Sequence, residues 1–186
     1  MKKAVNVMAA AIEEWTGEGS GCFPRDEDLD MLAELLHAAV HAGASVSFVL
    51  PFSLEEARAF WREQVLPGVA AGTRRVLVAR DGGRILGTVQ LDLEMPPNQQ
   101  HRAEVLKLLV HPEARRRGIA RALMTAVETM ARSAGRTLLT LDTRTGDMAE
   151  PLYLSMGFVL VGAIPRYARG PLSPDLEAAS ILYKEL

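Results

Sequence analysis

Six residues of this chain have the types and spacing to hold a polyanion. Arg115, Arg116, Arg117, Gly118, Ile119 and Ala120 follow the pattern Arg/Gln-x-x-Gly-x-Gly/Ala. They stand between the apolar, strand-like Leu108, Leu109 and Val110 and a run of helical periodicity, with His111 and Pro112 at the turn. A helix beginning there presents backbone N–H groups that lack intrahelical partners, together with the positive end of its dipole, and this attracts a diphosphate. Small residues at Gly118 and Ala120 let phosphate oxygens approach the backbone, and the arginines add positive charge around them. The Gly-x-x-x-x-Gly-Lys-Ser/Thr and Gly-x-Gly-x-x-Gly patterns do not occur, so P-loop nucleotide hydrolysis and Rossmann hydride transfer drop out.

Two carboxylates are candidates for proton transfer. Asp142 closes the apolar run Leu138 to Leu141, and Glu104 opens the run that leads to the arginine loop. Either could take a proton from an ammonium, which an amine must lose before it attacks an acyl group; either could equally cap a turn or pair with arginine. Lys107 reads as an interacting or solvated charge. Tyr153, four residues before Gly157 and Phe158, reads on its own as a half-buried aromatic with a hydrogen-bonded hydroxyl. His37 and His41 have the spacing of a metal pair, but no His-Glu-x-x-His pattern or third ligand accompanies them, so no metal is expected. His111 shapes the loop turn.

These residues need a scaffold, and the composition supplies one. At 186 residues, 48% hydrophobic and 24% charged, the chain reads as one domain spanning 1–186. A formal net charge of −2 gives no basic excess, so no nucleic-acid partner is expected. The single Cys22 cannot close an internal disulfide, which suits a reducing compartment, and the cytoplasm is the default. Met1-Lys2-Lys3 and the small residues near Ala9 faintly resemble a signal peptide, but Asn6 interrupts the apolar stretch and a first strand or tail is preferred. No apolar run reaches the ~20 residues that span a bilayer, so no membrane partner is expected.

Residues 13–25 read as loop, and the acidic cluster Asp26, Glu27, Asp28 and Asp30 opens a helix that ends before Gly43. A second helix runs from Ser53, with Glu56 completing a capping box, towards Pro67. Arg75–Arg80 and Ile85–Leu93 read as a hairpin turning at Asp81-Gly82-Gly83. Ala103–Val110 is the strand before the arginine loop. The following helix carries Ile119, Leu123, Val127, Met130 and Ala134 on one face, with Arg121, Glu128 and Arg132 elsewhere, and Gly135 stops it. The strand Thr137–Asp142, a short helix around Leu152–Met156, and strands Phe158–Ile164 and Ala179–Lys184 complete an α/β order without repeats.

The loop pattern between strand and helix, followed by Leu152-Tyr153-x-x-x-Gly157-Phe158, resembles the GCN5-related N-acetyltransferases. The resemblance covers about residues 74–186, with the two earlier helices fitting the family's first two. It implies a GNAT fold: a single mixed, mostly antiparallel sheet with splayed strands 4 and 5 and flanking helices. It also implies acetyl-CoA as co-substrate, with its diphosphate on Arg115–Ala120 and its pantetheine arm along Leu108, Leu109 and Val110. The Leu108 N–H would polarise the thioester. Tyr153 would protonate the departing thiolate, and Asp142 or Glu104 would relieve the substrate of its proton, by direct attack in a ternary complex. Cys22, remote in sequence, is not read as an acyl carrier.

The runs Gly43-Ala44-Ser45-Val46, Arg102-Ala103-Glu104-Val105, Lys107-Leu108 and Leu141-Asp142-Thr143, with Tyr153, are similar to members that confer toxin resistance by acetylating a β-lactam-containing amino acid. The expected acceptor is therefore a small-molecule primary amine. A silent acyl-CoA sensor and a protein or peptide N-acetyltransferase are the alternatives, and a homodimer stays open.

Overall fold

The computed structural model describes residues 10–16 and 26–186. The signal-like residues 1–9, loop residues 17–25 and Cys22 lie outside the described residues. Among the described residues, seven strands form one sheet in the order β1-β2-β3-β4-β5-β7-β6. They are β1 (Ala11–Trp15), β2 (Arg74–Asp81), β3 (Arg84–Asp92), β4 (Arg102–Val110), β5 (Leu138–Arg144), β6 (Val159–Arg169) and β7 (Leu176–Glu185). Every pairing is antiparallel except β4 with β5. Glu13, Glu14 and Trp15, expected in a loop, belong to β1. The Glu14 carboxylate accepts from Nε and Nη2 of Arg75, at 2.7 and 2.6 Å, and this contact between residues distant in sequence, with the ladder to β2, makes a strand of residues whose local context reads as loop.

Among the same residues, five α-helices flank the sheet: α1 (Asp26–His41), α2 (Leu54–Ala59), α3 (Leu66–Ala70), α4 (Ile119–Ser133) and α5 (Glu150–Ser155). Ser53 caps α2 with the reciprocal Glu56 bonds expected of a capping box. The second helix does not stop at Pro67. It widens into a π segment, Phe60–Val65, in which the Leu66 N–H donates to Trp61 O, and then continues as α3 with the proline in its first turn. The wider turn gives the ring room that a regular α-turn would deny it.

The β2–β3 hairpin turns on Gly82 and Gly83, both at positive φ, while Asp81 pairs with Arg84. Helix α4 ends on Gly135 at φ 70°, and the Arg136 N–H donates back to Ala131 O at 2.9 Å. The two faces of the sheet bury separate cores. One packs Leu77, Val89, Leu91, Val105, Leu139, Leu141 and Leu182 against Ile119, Leu123 and Val127 of α4. The other packs Val76, Val78 and Leu109 against α1, Phe60 and Trp61.

The pairing of β4 with β5 decides where a site can form. It spans only Arg102↔Leu138, Ala103↔Leu139 and Glu104↔Thr140. Beyond Glu104 the strands part, as the splayed arrangement requires. β4 also bulges there: its register against β3 shifts between Thr88 and Gln90, and Lys107 takes φ 51°. Asp142 does not close β5 but lies inside it, paired with Ile181, past the point of separation.

Candidate functional site

A cleft of about 980 Å³ occupies the opening between β4 and β5. Val105–Val110 form one wall, Asp142–Arg144 and Gly146–Ala149 another, and α5 contributes Pro151–Tyr153. The turn before α4 adds Ala114–Arg116 and Gly118–Arg121, and the α1–α2 connection adds Ala42–Ser47. Ten sequence-predicted residues therefore meet here: Leu108, Leu109, Val110, Arg115, Arg116, Gly118, Ile119, Ala120, Asp142 and Tyr153.

Two predicted residues stand elsewhere. The Arg117 guanidinium donates to Asp81 at 2.9 Å, across to the β2–β3 hairpin, and does not line the cleft. Glu104 sits where β4 and β5 still pair; Arg102 Nη1 is 3.6 Å from its carboxylate, and it is not part of the lining either.

The turn before α4 is shaped for an anion. Arg116 at φ 63° and Gly118 at φ 80° place left-handed residues either side of Arg117, the kind of alternation that gathers successive N–H groups into a concave nest. Gly118 is the N-cap of α4 and supplies no side-chain partner for the first-turn amides. A Cβ built on Gly118 meets nothing within 4 Å, so the space before these amides is open. The residues thus fit a diphosphate. The helix is brought there by Gly87 of β3, where a Cβ would lie 2.9 Å from Ile119 Cγ2 and 3.0 Å from Leu109 O. No side chain larger than hydrogen fits between β3 and α4 without movement.

Tyr153 is 6% exposed and packs on Phe158 at 5.8 Å between ring centroids. Burial pushes its phenol well above the usual tyrosine value, and the negative charges of Asp147 and Asp142 push the same way. The hydroxyl is therefore held protonated. Asp147 is itself fixed by Arg144 at 3.2 Å, and the Gly146 N–H donates to Glu150 at 2.7 Å, ordering the loop before α5.

Asp142 reaches the cleft from the other side of the sheet. Its neighbour Leu141 belongs to the α4-side core, so alternation along β5 turns Asp142 to the α1 side, whereas Tyr153 packs in the α4-side core. A phenol and an exposed carboxylate thus flank one opening from opposite faces.

Residue-type reasoning gave Lys107 no specific role, yet it lines the cleft. Its ammonium donates to Ser47 Oγ at 3.0 Å and stands 5.9 Å from the Phe60 ring centroid. Arg121, placed off the apolar face of its helix, also lines the cleft and donates to Ser155 Oγ at 2.8 Å. The run Lys107-Leu108 draws attention to this position only through resemblance, since no residue type marks the bulge that turns Lys107 into the cleft. At His111, the Glu113 N–H donates to Nδ1 at 3.4 Å, a contact within the turn. His37 and His41 stack at 4.0 Å between centroids, and among the described residues no three His, Cys, Asp or Glu side chains converge as a metal site. Among the same residues no helix is long and apolar enough to cross a membrane.

Comparison with known proteins adds an independent line. The family model for the acetyltransferase (GNAT) family matches residues 37–158. An uncharacterized N-acetyltransferase from the hisH-hisA intergenic region of Azospirillum brasilense is 35% identical over 127 residues, 67% of this chain and 73% of that protein. N-acetyltransferase 8B of Rattus norvegicus is 38% identical over 87 residues, 46% of this chain, and the match spans only 39% of that longer relative.

Among solved structures, the ribosomal-protein-alanine N-acetyltransferase of Brucella melitensis superposes with a TM-score of 0.76 at 22% identity, over 95% of this chain and 99% of that one. YncA of Salmonella typhimurium, a putative acetyltransferase solved with its cofactor acetyl-CoA, gives 0.71 at 17% identity, covering 95% and 94%. At these identities the structures speak for the fold.

Proposed function

Because the chain belongs to the GNAT family and is an acetyltransferase, we propose that it moves the acetyl group of acetyl-CoA to the primary amine of a small, amino-acid-like molecule, in a ternary complex. The observation that carries this reading is the single cleft that gathers the anion-shaped turn, a protonated phenol and an exposed carboxylate. Acetyl-CoA supplies an activated acyl carbonyl and a thiolate leaving group.

The chain's own residues do the rest. Arg115, Arg116 and the amides of Gly118–Ala120 hold the diphosphate. Among the described residues the edge of β4 beyond Glu104 has no strand partner on its β5 side, so Leu108, Leu109 and Val110 can hold an extended arm by main-chain bonds. The Leu108 N–H donates to the acyl oxygen and stabilises charge developing there. Asp142 takes a proton from the acceptor ammonium, directly or through water, and the freed nitrogen forms the new C–N bond. As the C–S bond breaks, Tyr153 gives its proton to the sulfur, and the surplus proton on the newly acylated nitrogen returns to the phenol, directly or through water.

Glu104, held beside Arg102 outside the cleft lining, is the weaker candidate for the base, and Arg117 acts through Asp81 on the turn rather than on the ligand. The acceptor class is supported by Gly43–Val46, Val105, Lys107, Leu108, Asp142, Thr143 and Tyr153, which share the cleft and belong to the longer runs similar to the tabtoxin resistance protein, an acetyltransferase of a β-lactam-containing amino acid; Arg102–Glu104 and Leu141 of those runs do not line it.

Titration calorimetry with acetyl-CoA, followed by a thiol-release assay over amines headed by β-lactam amino acids, tests the proposal. Binding with release of CoA supports it. Binding without release points to an acyl-CoA sensor, and no binding by folded protein removes the role given to Arg115–Ala120.

A further inference from the structure

Lys107 occupies an unusual place for a lysine. It lies in the β4 bulge at φ 51°, a left-handed conformation that L side chains seldom adopt. Its side chain is turned to the α1 side of the sheet, where it meets Ser47 Oγ at 3.0 Å and the face of Phe60 at 5.9 Å. Ser47 is a second non-glycine residue at positive φ, 76°, and stands on the opposite lip of the cleft. Among the described residues Lys107 has no carboxylate within ion-pair distance. A partly buried ammonium without an anion pays for its desolvation and is ready to accept one.

Asp142 lies on the same face of the sheet, across the separation of β4 and β5. The two charges sense one another: burial lowers the Lys107 pKa from the usual lysine value, and the charge of Asp142 works against that fall. They do not touch. A cation without a carboxylate partner and an anion thus face a shared space beside the end of the pantetheine path, while Arg144 in the same lining is already paired with Asp147 and Glu177, and this layout is complementary to a molecule that carries the reverse pair.

We infer that Lys107, assisted by the Ser47 hydroxyl, anchors the carboxylate of the acceptor while Asp142 receives its ammonium, so that the substrates are α-amino acids with a free carboxylate. This rests on the acetyl-transfer reading above and narrows it. Lys107 selects the acceptor; it takes no part in proton transfer. Simple amines and esters lack the group it recognises, and they leave it desolvated and unpaired.

The test compares the L-amino acids with their own methyl esters, which keep the amine and remove the negative charge. For the natural chain, kcat/KM is expected to be about 10- to 100-fold higher for the acid than for the ester. Lys107→Met, which keeps the apolar stem, should bring that ratio close to one through KM for the acid. Ser47→Ala should lower it by a smaller factor. Acetyl-CoA titration of each variant reports whether the cleft still folds, and if Lys107→Met does not fold, a Ser47→Ala variant that leaves the acid-to-ester ratio unchanged overturns the inference.

A natural chain that acetylates amines but treats acids and esters alike overturns the inference and leaves the transferase reading intact. So does a Lys107→Met variant that retains the preference. Acetyl-CoA binding with no transfer to either series takes down the transferase reading and this inference with it.

Discussion

Tyr153 has the environment that most constrains its chemistry. Replacing it by phenylalanine keeps the ring against Phe158 and removes only the hydroxyl with its proton. We expect kcat to fall about 100-fold, within the usual range for a general acid, while calorimetry finds the acetyl-CoA affinity unchanged. Full turnover under saturating substrates would remove the acid role. Because burial raises the phenol pKa, the protonated form is the one favoured by the fold. Its contribution to stability is whole below the ordinary tyrosine value of about 10 and declines above it, so kcat should show no loss from tyrosine ionisation below that pH.

Gly118 makes a second, separate prediction. At φ 80°, valine is strained however much room it has, so Gly118→Val should weaken acetyl-CoA at least about tenfold by calorimetry. Gly118 could be read from the loop pattern. The diversion of Arg117 to Asp81 could not, since the two lie 36 positions apart and only folding brings them together.

At the level of helices and strands, the local signals were the readable ones. The capping box at Ser53 was evident because it is written within four residues, and Ser53→Ala should cost about 1 kcal/mol in urea denaturation. The passage of Pro67 through a π segment was not, because the packing of Phe60 and Trp61 under the sheet, not local propensity, keeps that helix going. Gly87 looked like any strand glycine. With Ile119 and the Leu109 carbonyl so close to its missing Cβ, Gly87→Ala should destabilise the fold by about 1–3 kcal/mol and also weaken acetyl-CoA, since it pushes α4 away from β4.

Strand β1 illustrates the same limit. Its register with β2 is reinforced by Glu14 on Arg75, which holds the Glu14 carboxyl below its ordinary range. That contribution is present above the usual carboxylate pKa and lost as pH falls, so β1 amides should lose hydrogen-exchange protection in mild acid ahead of β3 amides.

The two cores lie on opposite faces of the sheet, and the cleft opens past the three paired positions of β4 and β5. A ligand that bridges α4, β4, β5 and α5 should therefore stabilise the fold as well as occupy it. Acetyl-CoA at a hundredfold over its dissociation constant should add about 2.7 kcal/mol, read as a rise in melting temperature that Gly118→Val loses at the same concentration.

Periodicity and punctuation determined the order of most elements from α1 onward and the loop pattern before α4, because helix faces, caps and turns are set by neighbours a few positions apart. Only the tertiary structure decided which carboxylate enters the cleft, which arginine leaves it, and that Lys107 stands opposite Asp142. Strand pairing, bulges and the separation of β4 from β5 join residues far apart in the chain, and no local pattern records those distances.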